Sequence, residues 1–371
     1  MMNHVISMFT PLQWFFIALV FTLFIIISLF WLILYLQPAR KRNRTALRHE
    51  LPLPSVSVVL CVTNEYKVLR RMLPILLQQD YPCYEVVVVN DRSMDNSETL
   101  LRALQDLYPH LQVRTTSTND RFGRSPALAL GMAIRAAQYE TILSIEADCH
   151  IKDAHWIRSM ASPYGGDTEI VLGHTTHYKC TKWTRCHYLQ KALHYMGCAV
   201  IKRPYTGVGS NVLFKKSLFY DNNGFNVRLT REHFPIGVFI GEVANRNNCK
   251  ICTLPSGVTH SHIKLNRQMR KLYRKMEKRS LGMNPKCSKY PMLFESTLRL
   301  LFYAFGITSI ILFHRQMELL IFFGSILFLR LLSVVLLYYG VRNKLDDKGL
   351  AFPYLCWDVL FPVVHLFRII R

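Results

Sequence analysis

The sequence predicts an α/β domain with a mainly parallel sheet, flanked by transmembrane helices. Two observations carry this prediction. Between residues 55 and 145, apolar β-branched runs alternate with amphipathic helical patterns, as they do where helices connect parallel strands. On either side of this region lie apolar stretches long enough to cross a bilayer. The 371 residues would therefore form a domain attached to a membrane rather than a freely soluble one.

The first apolar stretch, Trp14–Leu36, predicts a retained membrane anchor within residues 1–45. It carries no charge, and at 1.5 Å per residue it is long enough for a hydrocarbon core of roughly 30 Å. The apolar part of a cleaved signal peptide is shorter, about 7–15 residues, and ends in small residues. Gln37, Pro38 and a basic run follow here instead.

Two further apolar stretches, Leu298–Phe313 and Leu319–Tyr339, predict a transmembrane hairpin over residues 293–340, because the segment that joins them is short. Each stretch carries one arginine. Arg299 lies near an end, so its side chain is expected to extend to the membrane interface. Arg330 lies well inside, where a charge costs about 2.5–3.5 kcal/mol, and it is expected to face protein.

The last segment, residues 341–371, is long enough to span a membrane but mixes apolar residues with prolines and polar groups. Asp358, Pro362 and His365 interrupt its apolar character. This pattern favours a helix that lies at the membrane interface, and a crossing helix is the alternative.

Basic residues are concentrated beside the predicted spans, and the net charge is +22. One group follows the first span at residues 40–44, and another precedes the hairpin at residues 267–279. The positive-inside rule then places the intervening domain on the cytoplasmic side. There an anionic leaflet attracts each nearby cation by about 1 kcal/mol. The sequence has no nucleic-acid-binding motif, so a membrane rather than a nucleic acid is the predicted partner of this positive charge. We predict a multi-pass integral membrane protein, in an inner membrane of the bacterial type.

The ten cysteines do not predict disulfides, because thiols of a cytoplasmic domain stay reduced. Cys249 and Cys252 have the spacing of half a zinc site. In a strand, however, these two positions point to opposite faces. Buried free thiols are therefore favoured over a zinc site.

Polar residues follow three of the predicted strands. Strands are predicted over residues 55–62, 85–89, 112–116 and 141–145, and helices over 68–79, 97–107 and 126–138. The polar clusters are Thr63–Glu65, Asn90–Ser93 and Glu146–Asp148. Because ligands of parallel sheets bind beyond the carboxyl ends of the strands, the three clusters predict one shared site.

Glu146 and Asp148 are the predicted metal ligands. Two carboxylates on a loop suit a hard cation such as Mg²⁺ or Mn²⁺, held together with phosphate oxygens. No glycine-rich phosphate loop follows the first strand, so phosphate charge would be met by the metal and by basic side chains. Cys149 is expected to pack in the core, and His150 to lie at the surface.

The order of these segments resembles membrane-bound family 2 glycosyltransferases with the GT-A fold. The segments that match are TNE with QQDYP, NDRSMD, EADC and YTGVGSN, and the resemblance runs from about Ser55 to Arg279. It implies a GT-A domain over residues 46–265 with a mainly parallel nucleotide-binding sheet. Residues 266–292 would form a basic amphipathic segment at the membrane interface.

The resemblance also implies an activity. The protein would be an inverting transferase that moves a sugar from a nucleotide donor, in most members a UDP-sugar, to a lipid-linked or polysaccharide acceptor of the cell envelope. Asp148 would hold the cation that bridges the diphosphate, and Glu146 stands at a position that is usually Asp. The other implied site residues contact the nucleotide, the diphosphate or the sugar: Asn64, Glu65, Asp91, Arg124, Gly209, Ser210, Asn211 and Arg279.

The catalytic base departs from the family pattern. The acceptor hydroxyl loses a proton as it attacks, so a positioned carboxylate is expected. Here the acidic positions of the family motif fall on residues 235–237, which read PIG. Glu232 is the carboxylate just upstream and is the predicted base, whereas Glu242 is expected to point elsewhere. His260 and His262 are a further candidate acid/base pair.

Three interpretations therefore stay open. The chain is an active glycosyltransferase with a displaced base, or a catalytically impaired relative that serves as a scaffold or partner of an active transferase. The third interpretation is an unrelated membrane-attached enzyme that uses a nucleotide.

Overall fold

The computed structural model describes residues 9–35, 52–116, 125–164, 168–177, 180–225, 235–246, 250–253, 259–261 and 289–370. Its helices are α1 (Pro11–Leu34), α2 (Tyr66–Leu77), α3 (Ser97–Leu107), α4 (Pro126–Ala136), α5 (Trp156–Ala161), α6 (Lys182–Val200), α7 (Lys216–Asp221), α8 (Pro235–Arg246), α9 (Lys289–Leu312), α10 (Met317–Arg342) and α11 (Ala351–Ile370). Its strands are β1 (Val56–Val62), β2 (Tyr84–Asn90), β3 (Leu111–Thr115), β4 (Thr141–Ser144), β5 (Cys149–Ile151), β6 (Thr168–Leu172), β7 (Thr175–His177), β8 (Val212–Lys215), β9 (Lys250–Thr253) and β10 (Thr259–Ser261).

The main sheet is built from seven of these strands in the order β3-β2-β1-β4-β8-β6-β9. Strands β3, β2, β1 and β4 run parallel, and β8 is antiparallel to both of its neighbours. Val62 at the end of β1 is in register with Asn90 at the end of β2. The carboxyl ends of the first strands therefore meet at one edge, and the predicted mainly parallel α/β architecture is confirmed.

Apolar patterning explains why the first half of the domain folds as predicted. β1 and β2 are β-branched runs buried almost throughout, as expected for central strands covered on both faces. In α2, the buried residues Leu69, Met72, Leu73 and Leu76 recur at helical spacing and pack on the sheet.

A second, three-stranded sheet has the order β5-β10-β7. β10 pairs antiparallel with β5 and parallel with β7. β5 begins directly after Asp148, so this small sheet starts at the predicted metal ligands.

Three helices in the described part of the chain are long and apolar enough to cross a membrane. They are α1, α9 from Tyr290 onwards, and α10. This agrees with membrane association. α11 is shorter in its described apolar part, Ala351–Phe367, and whether it crosses a membrane stays a prediction.

α6 and α11 connect these membrane helices to the sheet domain. The Gln190 side chain of α6 donates to Tyr35 at the end of α1 (2.8 Å) and accepts from Tyr354 of α11 (2.8 Å). α6 also lies directly on α1. A Cβ atom added to Gly197 would lie 2.0 Å from the main-chain oxygen of Leu34, so only glycine permits this approach.

Helices α1, α9, α10 and α11 pack together and are here called the bundle. The bundle buries four charged side chains, Glu295, Arg299, Arg330 and Asp358, here called the bundle ion cluster. Asp358 accepts from Arg330 (2.7 Å) and pairs with Arg299 (3.0 Å), and Arg299 also pairs with Glu295. The expectation that Arg330 faces protein is confirmed. The expectation that Arg299 reaches the interface is wrong, because its side chain is 1% exposed and held by two carboxylates.

Candidate functional site

Two of the polar clusters are joined by hydrogen bonds at the edge of the main sheet. The main-chain N–H of Asn64 donates to Ser93 Oγ (3.0 Å), and Asn64 Oδ1 accepts from the N–H of Met94 (2.6 Å). Asn64 and Arg92 both have a positive φ, so each loop turns sharply after its strand. The loops after β1 and β2 therefore form one surface.

The third cluster lies within electrostatic reach of the first. Burial and then the negative charge of Asp148 raise the pKa of Glu65 to about 7, and Asp95 adds to the effect. Burial, Asp148 and Glu65 raise the pKa of Glu146 well above its usual range. Glu65, Glu146 and Asp148 thus form a set of mutually repelling carboxylates, here called the acidic cluster.

The acidic cluster has the donor atoms that a divalent cation needs. One ligand atom from each of Glu146, Asp148 and Cys149 lies within 4.8 Å of the others. No lysine or arginine among the described residues forms an ion pair with Glu65 or Glu146, and the buried Glu65 Oε2 has no hydrogen-bond partner there. A cation would offset this repulsion. Carboxylate oxygens suit Mg²⁺ or Mn²⁺, so these residues fit the predicted ion.

Cys149 lies beside the carboxylates but is fully buried. Its Sγ is 3.9 Å from Asp148 Oδ1. Burial and the charges of Asp148 and Glu146 raise the pKa of this thiol, so it stays protonated. Its placement agrees with a packing residue, as the sequence predicted.

Asp91 lies at the end of β2 and is almost completely buried. Its Oδ1 accepts from Thr116 Oγ1 (2.9 Å) and lies 3.3 Å from Arg92 Nε. Its Oδ2 has no hydrogen-bond partner among the described residues, and neither has the Nδ2 of the adjacent Asn90. Buried polar atoms of this kind are ordinarily paired. This edge of the sheet therefore offers both an acceptor and a donor to a ligand.

The segment before β8 passes the acidic cluster at Gly209. A Cβ atom added to Gly209 would lie 3.2 Å from Glu146 Oε1, so the glycine lets the chain approach this carboxylate. Ser144 Oγ donates to the main-chain oxygen of Gly209 (2.7 Å), which fixes the segment to the end of β4. Ser210 Oγ lies 2.9 Å from Thr175 Oγ1.

Asn211 has a different environment from its two neighbours. It is fully buried, its Oδ1 accepts from Trp156 Nε1 (3.1 Å) and its Nδ2 donates to the main-chain oxygen of His174 (2.9 Å). Both the oxygen and the nitrogen of this amide thus form hydrogen bonds within the protein. Contact of this side chain with a sugar, as the resemblance implies, stays a prediction.

Residues 235–237, where the sequence resemblance predicts the acidic motif, begin α8 close to Gly209. Ile236 is buried, and its Cβ lies 3.4 Å from where a Cβ atom added to Gly209 would be. The oxygen of Gly237 accepts from Thr206 Oγ1 (3.1 Å). The structure therefore places the buried Ile236 beside the segment that passes Glu146.

Several predicted residues lie outside the described part of the chain. These are Arg124, Glu232, Arg279, Cys249, His262 and most of the interfacial segment 266–292. The side chain of His260 is likewise not described.

Sequence reasoning did not identify Thr116, Ser144 or Trp156 as supports of the site. Thr116 orients Asp91, Ser144 holds Gly209, and Trp156 binds Asn211. Each is a single polar or aromatic residue without a motif of its own, so only the tertiary contacts reveal these roles.

The comparisons with known proteins agree with this geometry. Residues 57–232 match the sequence profile of glycosyl transferase family 2, and this range contains β1, β2, the acidic cluster and Gly209. The chain therefore contains a family 2 glycosyltransferase domain with the GT-A fold. The protein is a glycosyltransferase enzyme.

A solved structure supports the same fold. The mannosyltransferase PcManGT from Pyrobaculum calidifontis, in complex with GDP-Man and Mn²⁺, aligns with a TM-score of 0.54 at 16% identity, covering 94% of this chain and 99% of its own. S. aureus TarS 1–349 aligns with a TM-score of 0.43 at 15% identity, covering 85% of this chain and 89% of its own. At 16% identity the likeness to PcManGT concerns the fold alone. No curated protein sequence matches the chain significantly.

Proposed function

We propose that the protein transfers a sugar, with inversion, from a nucleoside diphosphate donor to a lipid-linked or polysaccharide acceptor at the cytoplasmic face of a membrane. The acidic cluster at the sheet edge is the observation that carries this proposal. It concentrates three carboxyl groups where ligands of parallel sheets bind, within a family 2 glycosyltransferase domain. The three apolar helices support a membrane setting.

Two groups of residues at the edge of the main sheet would bind different parts of the nucleotide donor. Asp148 and Glu146 would hold Mg²⁺ or Mn²⁺, and PcManGT was solved with Mn²⁺. When bound, such an ion stabilises the charge that develops on a leaving diphosphate. Asp91 is proposed to accept from the nucleoside through the Oδ2 that the described residues leave unpaired.

The identity of the donor is proposed from the sequence resemblance, which favours a uridine nucleotide. PcManGT, by contrast, was solved with GDP-Man. Both nucleotides share the diphosphate that a cation would contact, so a direct comparison of UDP and GDP separates the base preference from the metal site.

Binding of UDP and GDP to the full detergent-solubilised chain, with and without Mn²⁺, tests the donor site. We expect tight binding of one nucleotide only with Mn²⁺, and its loss in Asp148→Asn. Asp106→Asn, at an exposed position of α3, is the matched control because it removes the same charge from a surface. If neither nucleotide binds wild type, the proposed donor site is wrong.

A second function, a scaffold without transfer activity, is favoured by one observation. Ile236 is an apolar residue beside the acidic cluster where the family pattern has a carboxylate. Under our first proposal Glu232 supplies the base instead. Donor turnover that is lost in Glu232→Gln, with nucleotide binding retained, supports the enzyme. Binding without turnover toward any acceptor glycan supports the scaffold.

A further inference from the structure

The loop between α10 and α11, residues 343–350, packs into the transferase domain although it connects two helices of the bundle. Leu345, Asp347 and Leu350 are all buried. The hydroxyl of Tyr338 in α10 contacts the second half of this loop twice. It donates to the main-chain oxygen of Asp347 (2.9 Å) and accepts from the N–H of Leu350 (2.8 Å). This segment is here called the docking loop.

Asp347 is the centre of the docking loop. Its Oδ1 accepts from Arg185 Nη2 (2.9 Å) and Nε (3.2 Å), so two donors of one guanidinium in α6 share this oxygen. Such charge-assisted hydrogen bonds are stronger than neutral ones. Its Oδ2 lies 3.5 Å from Nε2 of the buried His174. Arg185 also donates to the main-chain oxygen of Lys348 (3.0 Å). The hydrogen bonds from Arg185 fix the loop relative to α6, and the approach to His174 places the carboxylate beside the segment before β7.

The docking loop also holds the small sheet at two strands. The main-chain oxygen of Leu345 accepts from Thr176 Oγ1 in β7 (3.0 Å). Asp346 forms an ion pair with Lys152, the residue that directly follows β5. β5 begins at Cys149, next to Asp148, so the loop contacts the far end of the strand that leaves the acidic cluster.

A continuous set of contacts leads from His174 to the acidic cluster. The main-chain oxygen of His174 accepts from Asn211 Nδ2 (2.9 Å), and the N–H of Gly173 donates to the main-chain oxygen of Asn211 (2.9 Å). Two residues earlier in the chain, Gly209 lies so close to Glu146 that a Cβ atom added to it would be 3.2 Å from Glu146 Oε1. The segment of residues 209–211 is therefore fixed on one side by the residues that Asp347 contacts and on the other by the acidic cluster.

We propose that Asp347 is a positioning residue of the cation site and that the docking loop sets the geometry of that site from the membrane bundle. Asp347 acts through His174 and Asn211 on Gly209, and so on Glu146. The inference rests on the proposed function in one respect: it takes the acidic cluster to bind a divalent cation. Groups that contact metal ligands directly typically change metal affinity by about 10–100-fold when they are removed, and Asp347, which acts through other residues, is expected at the lower end.

Asp347→Asn in the full detergent-solubilised chain tests this inference with Mn²⁺ as the probe. We expect the Mn²⁺ dissociation constant, measured by electron paramagnetic resonance, to rise by about tenfold. We also expect the spectrum of the bound ion at saturation to change shape, because its ligands are displaced. Hydrogen exchange of peptides covering residues 145–152 and 205–212 should become faster in the variant.

Asp106→Asn is the matched control. It removes the same charge from an exposed position of α3, away from the docking loop. An equal loss of Mn²⁺ affinity in both variants would mean that only the charge matters, and this would overturn the inference. A folded Asp347→Asn protein with wild-type affinity and exchange would also overturn it.

Two outcomes need a second measurement. If Asp347→Asn does not fold, Thr176→Val decides, since it removes a single contact of the docking loop; unchanged Mn²⁺ affinity and exchange would then contradict the inference. If wild type binds no Mn²⁺, the proposed function fails, and hydrogen exchange alone tests the loop. Faster exchange at residues 205–212 in Asp347→Asn would then still support the connection between the bundle and this segment.

Discussion

The acidic cluster and the bundle ion cluster both bury charged side chains, but their charges are balanced differently. The acidic cluster combines Glu65, Glu146 and Asp148, and no cation among the described residues lowers the pKa of Glu65 or Glu146. The bundle ion cluster has two arginines and two carboxylates within ion-pair distance. Burial of like charges costs free energy unless a counter-charge arrives. The first cluster is thus suited to a ligand, and the second is complete by itself.

The surroundings of the bundle ion cluster reinforce this difference. The guanidinium groups of Arg330 and Arg299 lie 4.0 and 4.8 Å from the ring centre of Trp31, and Trp31 Nε1 donates to Glu295 (3.1 Å). The arginines are therefore held by carboxylates and by an aromatic face from α1. Four helices share one set of interactions, which fixes their relative positions.

The largest effect is expected from removal of one charge from the bundle ion cluster. Asp358→Leu leaves Arg330 without its carboxylate partner, and breaking a buried pair in this way costs about 3–5 kcal/mol. We expect a much lower thermal unfolding midpoint in detergent. The double variant Asp358→Leu with Arg330→Met should recover part of the loss, and a double variant as unstable as the single one would contradict a balanced cluster.

Removal of one charge from the acidic cluster should act in the opposite direction. Asp148→Asn relieves repulsion with Glu65 and Glu146, so without divalent cations its unfolding midpoint should equal or exceed that of wild type. Mn²⁺ should raise the midpoint of wild type but not of the variant, because only a protein that binds the ion is stabilised by it. Destabilisation of the cation-free protein would show that Asp148 has a structural role.

A pH titration sharpens the comparison further. The pKa of Glu65 is raised from 4.5 to about 7, so the neutral carboxyl is favoured in the folded protein. Its contribution to stability is complete below pH 4.5 and is lost as the pH rises through about 7. Without cations, the difference in unfolding midpoint between wild type and Glu65→Gln should therefore grow over this range. A constant difference would contradict the raised pKa.

The smallest effect is expected where charges are exposed. Glu98 and Arg102 form an ion pair one turn apart on α3, with side chains 38% and 75% exposed. Removal of either charge should change the free energy of unfolding by about 0.5 kcal/mol or less, because water screens the pair. Arg102→Gln therefore serves as a reference for the buried variants, measured by the same thermal unfolding.

The elements that the sequence predicts correctly have strong local patterns. β1 and β2 are continuous apolar runs, and α2 has a clear helical period, so their existence follows from local preference and burial. The small sheet was not predicted, because β5, β7 and β10 have only three residues each and pair with distant segments.

The site likewise has parts with a local sequence pattern and parts that depend on distant segments. Polar residues at strand ends could be recognised, because parallel strands place them at a common edge. The burial of Arg299 could not, since its partner Asp358 lies on another helix far along the chain. Neither could the docking loop, whose contacts with Arg185 and Thr176 leave no local pattern.

The approach of Gly197 to the main chain of Leu34 bears on how this enzyme can be handled. α6 uses the surface of α1 as part of its own core, and Met196 and Cys198 on either side of the glycine are buried. Deleting the first helix would not release a water-soluble catalytic half. It would expose the apolar surface of α6 that α1 covers. We expect such a truncated protein to aggregate unless that surface is redesigned at the same time.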